Sequence, residues 1–208
     1  MAHHLHKGDL PASLDLGPVV AIDSETMGLA VGRDRLCVVQ LSSGNGEAHL
    51  VQIPAAGPDG KVHAPNLARL LTDPSRLKLF HFARFDVAAL YHAFGVMAQP
   101  VYCTKIASRL SRTYTDRHGL KDVVKELLGV DLSKQQQSSD WGAPKLSEEQ
   151  VAYAASDVLH LHALKARLDQ MLAREGRDAL AKACFAFLPN RSLLDVAGWE
   201  DVDIFAHA

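Results

Sequence analysis

Five residues have the types and spacing to form one charged site: Asp23, Glu25, Asp86, Tyr153 and Asp157. Asp23 and Glu25 close the apolar, β-branched run that begins at Val19. Residues two apart on a strand face the same side, so a strand-end Asp-x-Glu turns both carboxylates into one place. Two carboxylates beside a core repel each other and resist burial, and a divalent cation between them removes both costs. Alone, the pair also describes two solvated acids in a turn. Tyr153 and Asp157 are four apart in YAASDVLHL, which on a helix puts them on one face, one turn apart. Alone, that Asp also suits a surface ion pair with Lys or Arg. Asp86, in LFHFARFDVAAL, falls in the first turn of a helix after a strand, where an acid also suits the helix dipole. His81, on that strand, is either a phosphate contact or a satisfied core histidine.

The elements that must position these groups follow from hydrophobic periodicity. VVAID after Pro18 reads as a strand buried on both faces. Arg35–Leu41 and Ala48–Ile53 read as two more, joined by the hairpin-type turn SSGNG, so three consecutive antiparallel strands are expected. A short helix over Asn66–Leu71, a strand over Leu77–Phe82 and a helix over Phe85–Phe94 come next, the last closed by Gly95. Val101–Thr104 reads as a strand, Lys105–Leu110 and Leu120–Leu128 as helices, the second closed by Gly129. Ser147 and Gln150 have the spacing of a capping box, opening a long helix that runs to about Arg174. Another helix is expected over Arg177–Phe187 and a short one after Pro189, before the tail GWEDVDIFAHA. Strands first and helices later give a mixed-sheet α/β class. No G-x-G-x-x-G follows the first strand, which excludes a Rossmann-type cofactor site.

With 208 residues and 48% hydrophobic content, one domain over 1–208 is expected, its core about 18–172 and its C-terminal helices and tail 173–208. No apolar run is long enough for a membrane span. The start, MAHHLHKGDLP, lacks the apolar region of a secretory signal. Cys37, Cys103 and Cys184 sit in apolar surroundings and read as reduced, buried thiols of a cytoplasmic protein. The net charge of −2 supplies no basic surface for long nucleic acid. Such a chain either avoids nucleic acid or touches few phosphates and neutralises them with metal.

Order, spacing and context together resemble the DEDD exonuclease superfamily in its tyrosine subtype, the ribonuclease D-like proteins. Asp23 and Glu25 match the first motif, Asp86 the second, and Tyr153 with Asp157 the third. RDRLCVVQLS, GLKDVVKELLGV and KQQQSSDW are similar to the local words of that family. Within it, the short length, HKGDLP, TKIASRLSRTYTDRHGLK and SLLDVAGWEDVDIFAHA resemble the nanoRNase C type, which lacks ribonuclease D's extra helical domains. The resemblance implies a ribonuclease H-like fold with a mixed central sheet flanked by helices. It implies 3′-5′ exonuclease action on very short RNA, notably dinucleotides, by a ring-like homo-oligomer such as an octamer. A general exonuclease on longer RNA or single-stranded DNA, and an inactive nucleic-acid-binding module, are the competing readings.

The same resemblance implies two Mg²⁺ or Mn²⁺ ions held by Asp23, Glu25, Asp86 and Asp157, with Asp23 between both ions. Two such ions activate a water and stabilise the leaving oxygen of an in-line displacement, and hard cations take oxygen ligands. Tyr153, with an ordinary pKa near 10, is a poor base at neutral pH and is assigned to orienting the water. Candidate substrate contacts are Met27, Gly28 and Leu29, with Leu29 as a wedge between bases; His81; Arg112 and Tyr114, in a basic-aromatic loop suited to a 5′ phosphate; and Lys134, Gln136 and Trp141, with Trp141 as a stacking surface. Each of these also has a plain packing or solvated-turn reading. His3, His4 and His6 could take up metal in vitro and are expected as an unstructured tail without function. Trp199, Ile204 and Phe205 are apolar groups in an acidic tail that either folds back or meets another subunit.

Overall fold

The computed structural model describes residues 2–57, 62–133 and 135–207. Its centre is β2 (Val19–Thr26), whose Val20, Ala21 and Ile22 are fully buried before the strand turns polar at Asp23. β3 (Leu36–Ser42), buried along its whole length, pairs antiparallel with β2, and β4 (Glu47–Gln52) pairs antiparallel with β3. The three consecutive antiparallel strands are therefore present. β5 (Leu77–Phe80) runs parallel beside β2, and β6 (Val101–Cys103) parallel beside β5. Parallel neighbours need crossover connections, and α1 (Pro65–Thr72) and α2 (Ala83–Phe94) lie in those connections.

The sheet has a sixth strand that the sequence reading did not expect. β1 (Ala2–Lys7) pairs parallel with β4 in the register Ala2↔Glu47 to Lys7↔Gln52, giving the order β1-β4-β3-β2-β5-β6. The expected unstructured tail is thus corrected to an edge strand. The run AHHLHK has only Ala2 and Leu5 as apolar residues and no alternation that a hydrophobic pattern could report. β4, otherwise an open edge, supplies the unpaired backbone groups that recruit it. Asp9 then pins the following turn to α1 by accepting from the amides of Asn66 and Leu67 at 2.8 and 2.9 Å.

The helices lie close to expectation, with two departures. α3 (Thr104–Ser111) and α4 (Leu120–Leu128) follow β6, and α2 and α4 end on Gly95 and Gly129 in the left-handed region. The Ser147–Gln150 capping box is formed in both directions and opens α5 (Glu148–Leu159). The expected single long helix is broken at His160, and α6 (Leu161–Arg174) begins there. No Gly or Pro marks this break. It leaves Leu161 fully buried and lets His162 Nε2 donate to the Val19 carbonyl on β2 at 3.0 Å. Conversely, α7 (Asp178–Val196) runs through Pro189 where a stop was expected. The proline removes one ladder donor, while buried Phe185, Leu188 and Ser192 on either side hold the helix in place against its neighbours, α2 among them.

The expected 5′-phosphate contact at Arg112 is corrected. Its side chain has no exposed surface. Nη1 donates to Ser108 Oγ and the Arg117 carbonyl at 2.9 and 2.7 Å, and Nε and Nη2 donate to the Glu126 carboxylate. Tyr114, largely exposed, donates its hydroxyl to the same carboxylate at 2.6 Å. The arginine's donors are spent tying the 112–118 loop to α4. Cys37 and Cys103 are buried and Cys184 half-buried, all free thiols. No helix among the described residues is long and apolar enough to cross a membrane.

Because a buried hydrogen bond to a charged group contributes about 1.5–3 kcal/mol, Arg112→Ala is expected to lower stability by at least about 2 kcal/mol in urea unfolding. A loss under about 0.5 kcal/mol, the range of plain surface substitutions, would mean that the loop does not depend on this group.

Candidate active site

β2 delivers Asp23 and Glu25 half-buried at its polar end, and α5, packed across β2, β3 and β4, delivers Asp157. Carboxylate oxygens of Asp23, Glu25 and Asp157 lie within 4.8 Å of one another. Asp86, in the first turn of α2, is buried beside them, its Oδ1 accepting from Ser24 Oγ at 2.6 Å. Its charge bears on Glu25, and that of Asp23 bears on it. The five residues singled out from the sequence therefore converge from β2, α2 and α5.

The electrostatics are adverse without a counter-charge. Burial pushes Asp23 up from 3.8 to about 7. Burial and then the charges of Asp23, Asp157 and Asp86 push Glu25 up from 4.5 to about 10. Asp86 and Asp157 are raised well above the usual carboxylate range, by burial first and the Asp23 charge second. Tyr153 is raised by burial, by the carboxylates and by its hydrogen bond to Asp157, so its hydroxyl keeps its proton at any ordinary pH. Deprotonated, this oxygen-only cluster fits a hard divalent cation. Asp23, Glu25 and Asp157 are the residues placed to hold one, with Asp86 adjoining.

One contributor escaped the sequence reading. Gln40, fully buried on β3 and paired with Asp23 across the ladder, lies with Nε2 3.5 Å from both Asp23 Oδ2 and Glu25 Oε1. Its amide nitrogen places a neutral donor between these two acids. The available signal was a single glutamine inside the apolar run LCVVQL.

The candidate substrate contacts separate by exposure. Met27 and Leu29 are exposed on the turn after Glu25, Leu29 to 85%. A Cβ on Gly28 would come within 2.3 Å of the Asp34 carboxylate, so a side chain there would require that carboxylate to shift. Trp141 is not an exposed stacking surface: it is 2% exposed, with its ring centroid 6.0 Å from that of Tyr153. It backs the tyrosine instead. His81 Nδ1 lies 2.8 Å from Thr104 Oγ1, and burial, then the Lys105 charge, lowers its pKa to about 3. A neutral imidazole so placed makes no ion pair with phosphate and fits the core reading. Gln136 Oε1 accepts from Ser139 Oγ at 2.5 Å. Lys134 lies outside the described residues.

Residues 9–173 match the 3′-5′ exonuclease domain family, and the chain belongs to it. It is similar over 100% of both chains to a structure of Brucella melitensis NrnC with bound Mg²⁺, at 57% identity and TM-score 0.94. It is similar over the same full span to Brucella melitensis NrnC bound to pGG, at 58% identity and TM-score 0.95. Ribonuclease D of Gluconacetobacter diazotrophicus is 38% identical over 160 residues, 77% of this chain and 39% of that relative. The chain thus spans about two-fifths of the length of the curated relatives it matches first. Use of a divalent metal accords with the Mg²⁺-bound structure and with the cluster of carboxylates.

These shifts set a pH signature. Raised carboxyl pKa values favour the folded state while the acids are protonated. In EDTA, stability should therefore be greatest near pH 4 and fall as the pH rises through about 7 for Asp23 and towards about 10 for Glu25. Mg²⁺ should suppress the fall and release protons on binding at pH 7. Thermal unfolding from pH 5 to 8.5 with and without Mg²⁺ measures this. Identical, flat profiles would show that the carboxylates are neither buried nor coupled.

Proposed function

We propose that this chain is a 3′-5′ exoribonuclease that degrades very short RNA, dinucleotides above all, to nucleoside monophosphates with two divalent ions, Mg²⁺ or Mn²⁺. The observation that carries the hydrolytic reading is the convergence of Asp23, Glu25 and Asp157 oxygens within 4.8 Å beside protonated Tyr153 and buried Asp86. The short-substrate reading is supported by the full-length similarity to NrnC bound to pGG, which as a formula is a 5′-phosphorylated dinucleotide. It is supported also by the net charge of −2, which leaves no broad basic track for a long strand.

When bound, the divalent ions supply charge neutralisation at the scissile phosphate and a nucleophilic water at neutral pH. The chain's own groups do the rest. Asp23, Glu25 and Asp157 hold one side of the site, and Asp86, fixed by Ser24, holds the other. Tyr153 keeps its proton and orients the attacking water by hydrogen bonding. Trp141 packs behind the Tyr153 ring and limits its swing. Gln40 keeps the Asp23 and Glu25 carboxylates in register. Exposed Leu29 and Met27 on the adjoining turn offer an apolar surface for the terminal bases. Trp199, Ile204 and Phe205, exposed at the tail, suit burial against other copies in a homo-oligomeric ring. RNA turnover of this kind belongs in the cytoplasm.

A time course on 5′-labelled RNAs of two, seven and twenty nucleotides with Mg²⁺ tests the reading. The dinucleotide should disappear far faster than the others, and Asp23→Asn should clear none. Stepwise shortening of all three at similar rates would favour a general ribonuclease D-like exonuclease on longer RNA or single-stranded DNA. No cleavage by wild type even with Mn²⁺ would favour a binding module. Tyr153→Phe is expected to lower kcat by about 10²-fold, the cost of a misplaced reactant, while Mg²⁺ affinity stays near that of wild type. An equal loss of Mg²⁺ binding would assign the tyrosine to the metal site instead.

A further inference from the structure

The unexpected strand β1 brings a second set of metal-ligating side chains together, on an edge strand of the sheet. In the register Ala2↔Glu47, His4↔His49 and His6↔Val51, paired residues of a parallel ladder face the same side. His4 and His6 therefore share a face with Glu47 and His49, and His3 and Leu5 point to the other. The His4 and His49 rings are stacked at 4.7 Å and 16°, and those of His6 and His49 at 5.4 Å and 12°. Ligand atoms of His4, Glu47 and His49 all lie within 4.8 Å of one another, with His4 Nε2 3.8 Å from Glu47 Oε2. His49 is 7% exposed, which fixes its ring, while His4 is open to solvent.

We propose that His4, Glu47 and His49 form a binding site for an imidazole-preferring divalent transition metal of the Zn²⁺ class, with His6 orienting His49. Two imidazoles and a carboxylate, with a fourth position open to water, are a donor set such ions accept. Tetrahedral ligands about 2 Å from a Zn²⁺ ion lie about 3.3–3.5 Å apart; the His4 ring, stacked at 16° on His49 and open to solvent, would turn out of that stack so that both in-plane lone pairs meet at the ion. His6 Nε2 lies 3.1 Å from His49 Nδ1. That contact occupies one His49 nitrogen and leaves the other for the metal, the arrangement by which an outer partner sets a ligand's tautomer. An ion here would tie β1, joined to the sheet only through β4, to that neighbour. The site shares no residue with the carboxylate cluster and does not depend on the proposed function.

The test is calorimetric titration of the full chain with Zn²⁺ in excess Mg²⁺, repeated with Co²⁺ to read the visible bands of a tetrahedral site. One site should persist in Asp23→Asn, separating it from the carboxylates. That site should be lost in His4→Ala, a solvent-exposed change that leaves the fold intact, and in Glu47→Gln. It should weaken about 10- to 100-fold in His6→Ala, the usual effect of removing an outer partner, and be unchanged in His3→Ala. Absence of the site in Asp23→Asn would overturn the proposal. So would retention in His4→Ala, or equal loss in His3→Ala, which would mark loose chelation by the histidine-rich end.

Discussion

Mutual repulsion among buried carboxylates is the constraint to which the rest of the structure answers. Asp23, Glu25, Asp86 and Asp157 are held where both desolvation and their neighbours oppose ionisation. A chain free to relax would splay them into water. Three rigid elements prevent that. β2 is anchored by fully buried Val20, Ala21 and Ile22 immediately before its acidic end. α5 starts at a complete capping box and lies across the central strands. α2 is seated so that Ser24 meets Asp86. The sheet and its helices supply the stability that the site consumes, and a divalent cation returns much of it.

The carboxylate site was legible in the sequence because the order, spacing and context of Asp23, Glu25, Asp86, Tyr153 and Asp157 together resemble one family's motifs, although each member alone leaves a plain surface reading open. A buried strand ending in Asp-x-Glu, and Tyr and Asp one helical turn apart, place their side chains by local geometry alone. The central strands, α2, α4 and the Ser147 cap follow from the same local rules. What escaped was decided by tertiary contact. β1 has no apolar alternation and forms because β4 offers an open edge. The break at His160 carries no Gly or Pro and coincides with His162 reaching β2, whereas Pro189, a strong local stop signal, is overridden by the packing of α7. Gln40 belongs to the site only because the β2–β3 register sets it opposite Asp23.

Charged and aromatic residues near a site are easily overread, and burial separates them. Arg112 has the right chemistry for a 5′ phosphate, yet its donors are engaged by Glu126, Ser108 and the Arg117 carbonyl. Trp141 has the right chemistry for stacking, yet it is buried against the Tyr153 ring. His81 is half-buried, with Nδ1 against Thr104 Oγ1. Among the described candidate contacts, Met27 and Leu29 on the turn after Glu25 are exposed.

The central claim is that these four acids are assembled around divalent cations. Anomalous difference density from crystals soaked in Mn²⁺ tests it most directly. The account predicts peaks among the carboxylates of Asp23, Glu25 and Asp157, with a second adjoining Asp86, and their disappearance in Asp23→Asn. Well-ordered carboxylates with no anomalous peak between them, at Mn²⁺ concentrations that saturate related carboxylate sites, would contradict it.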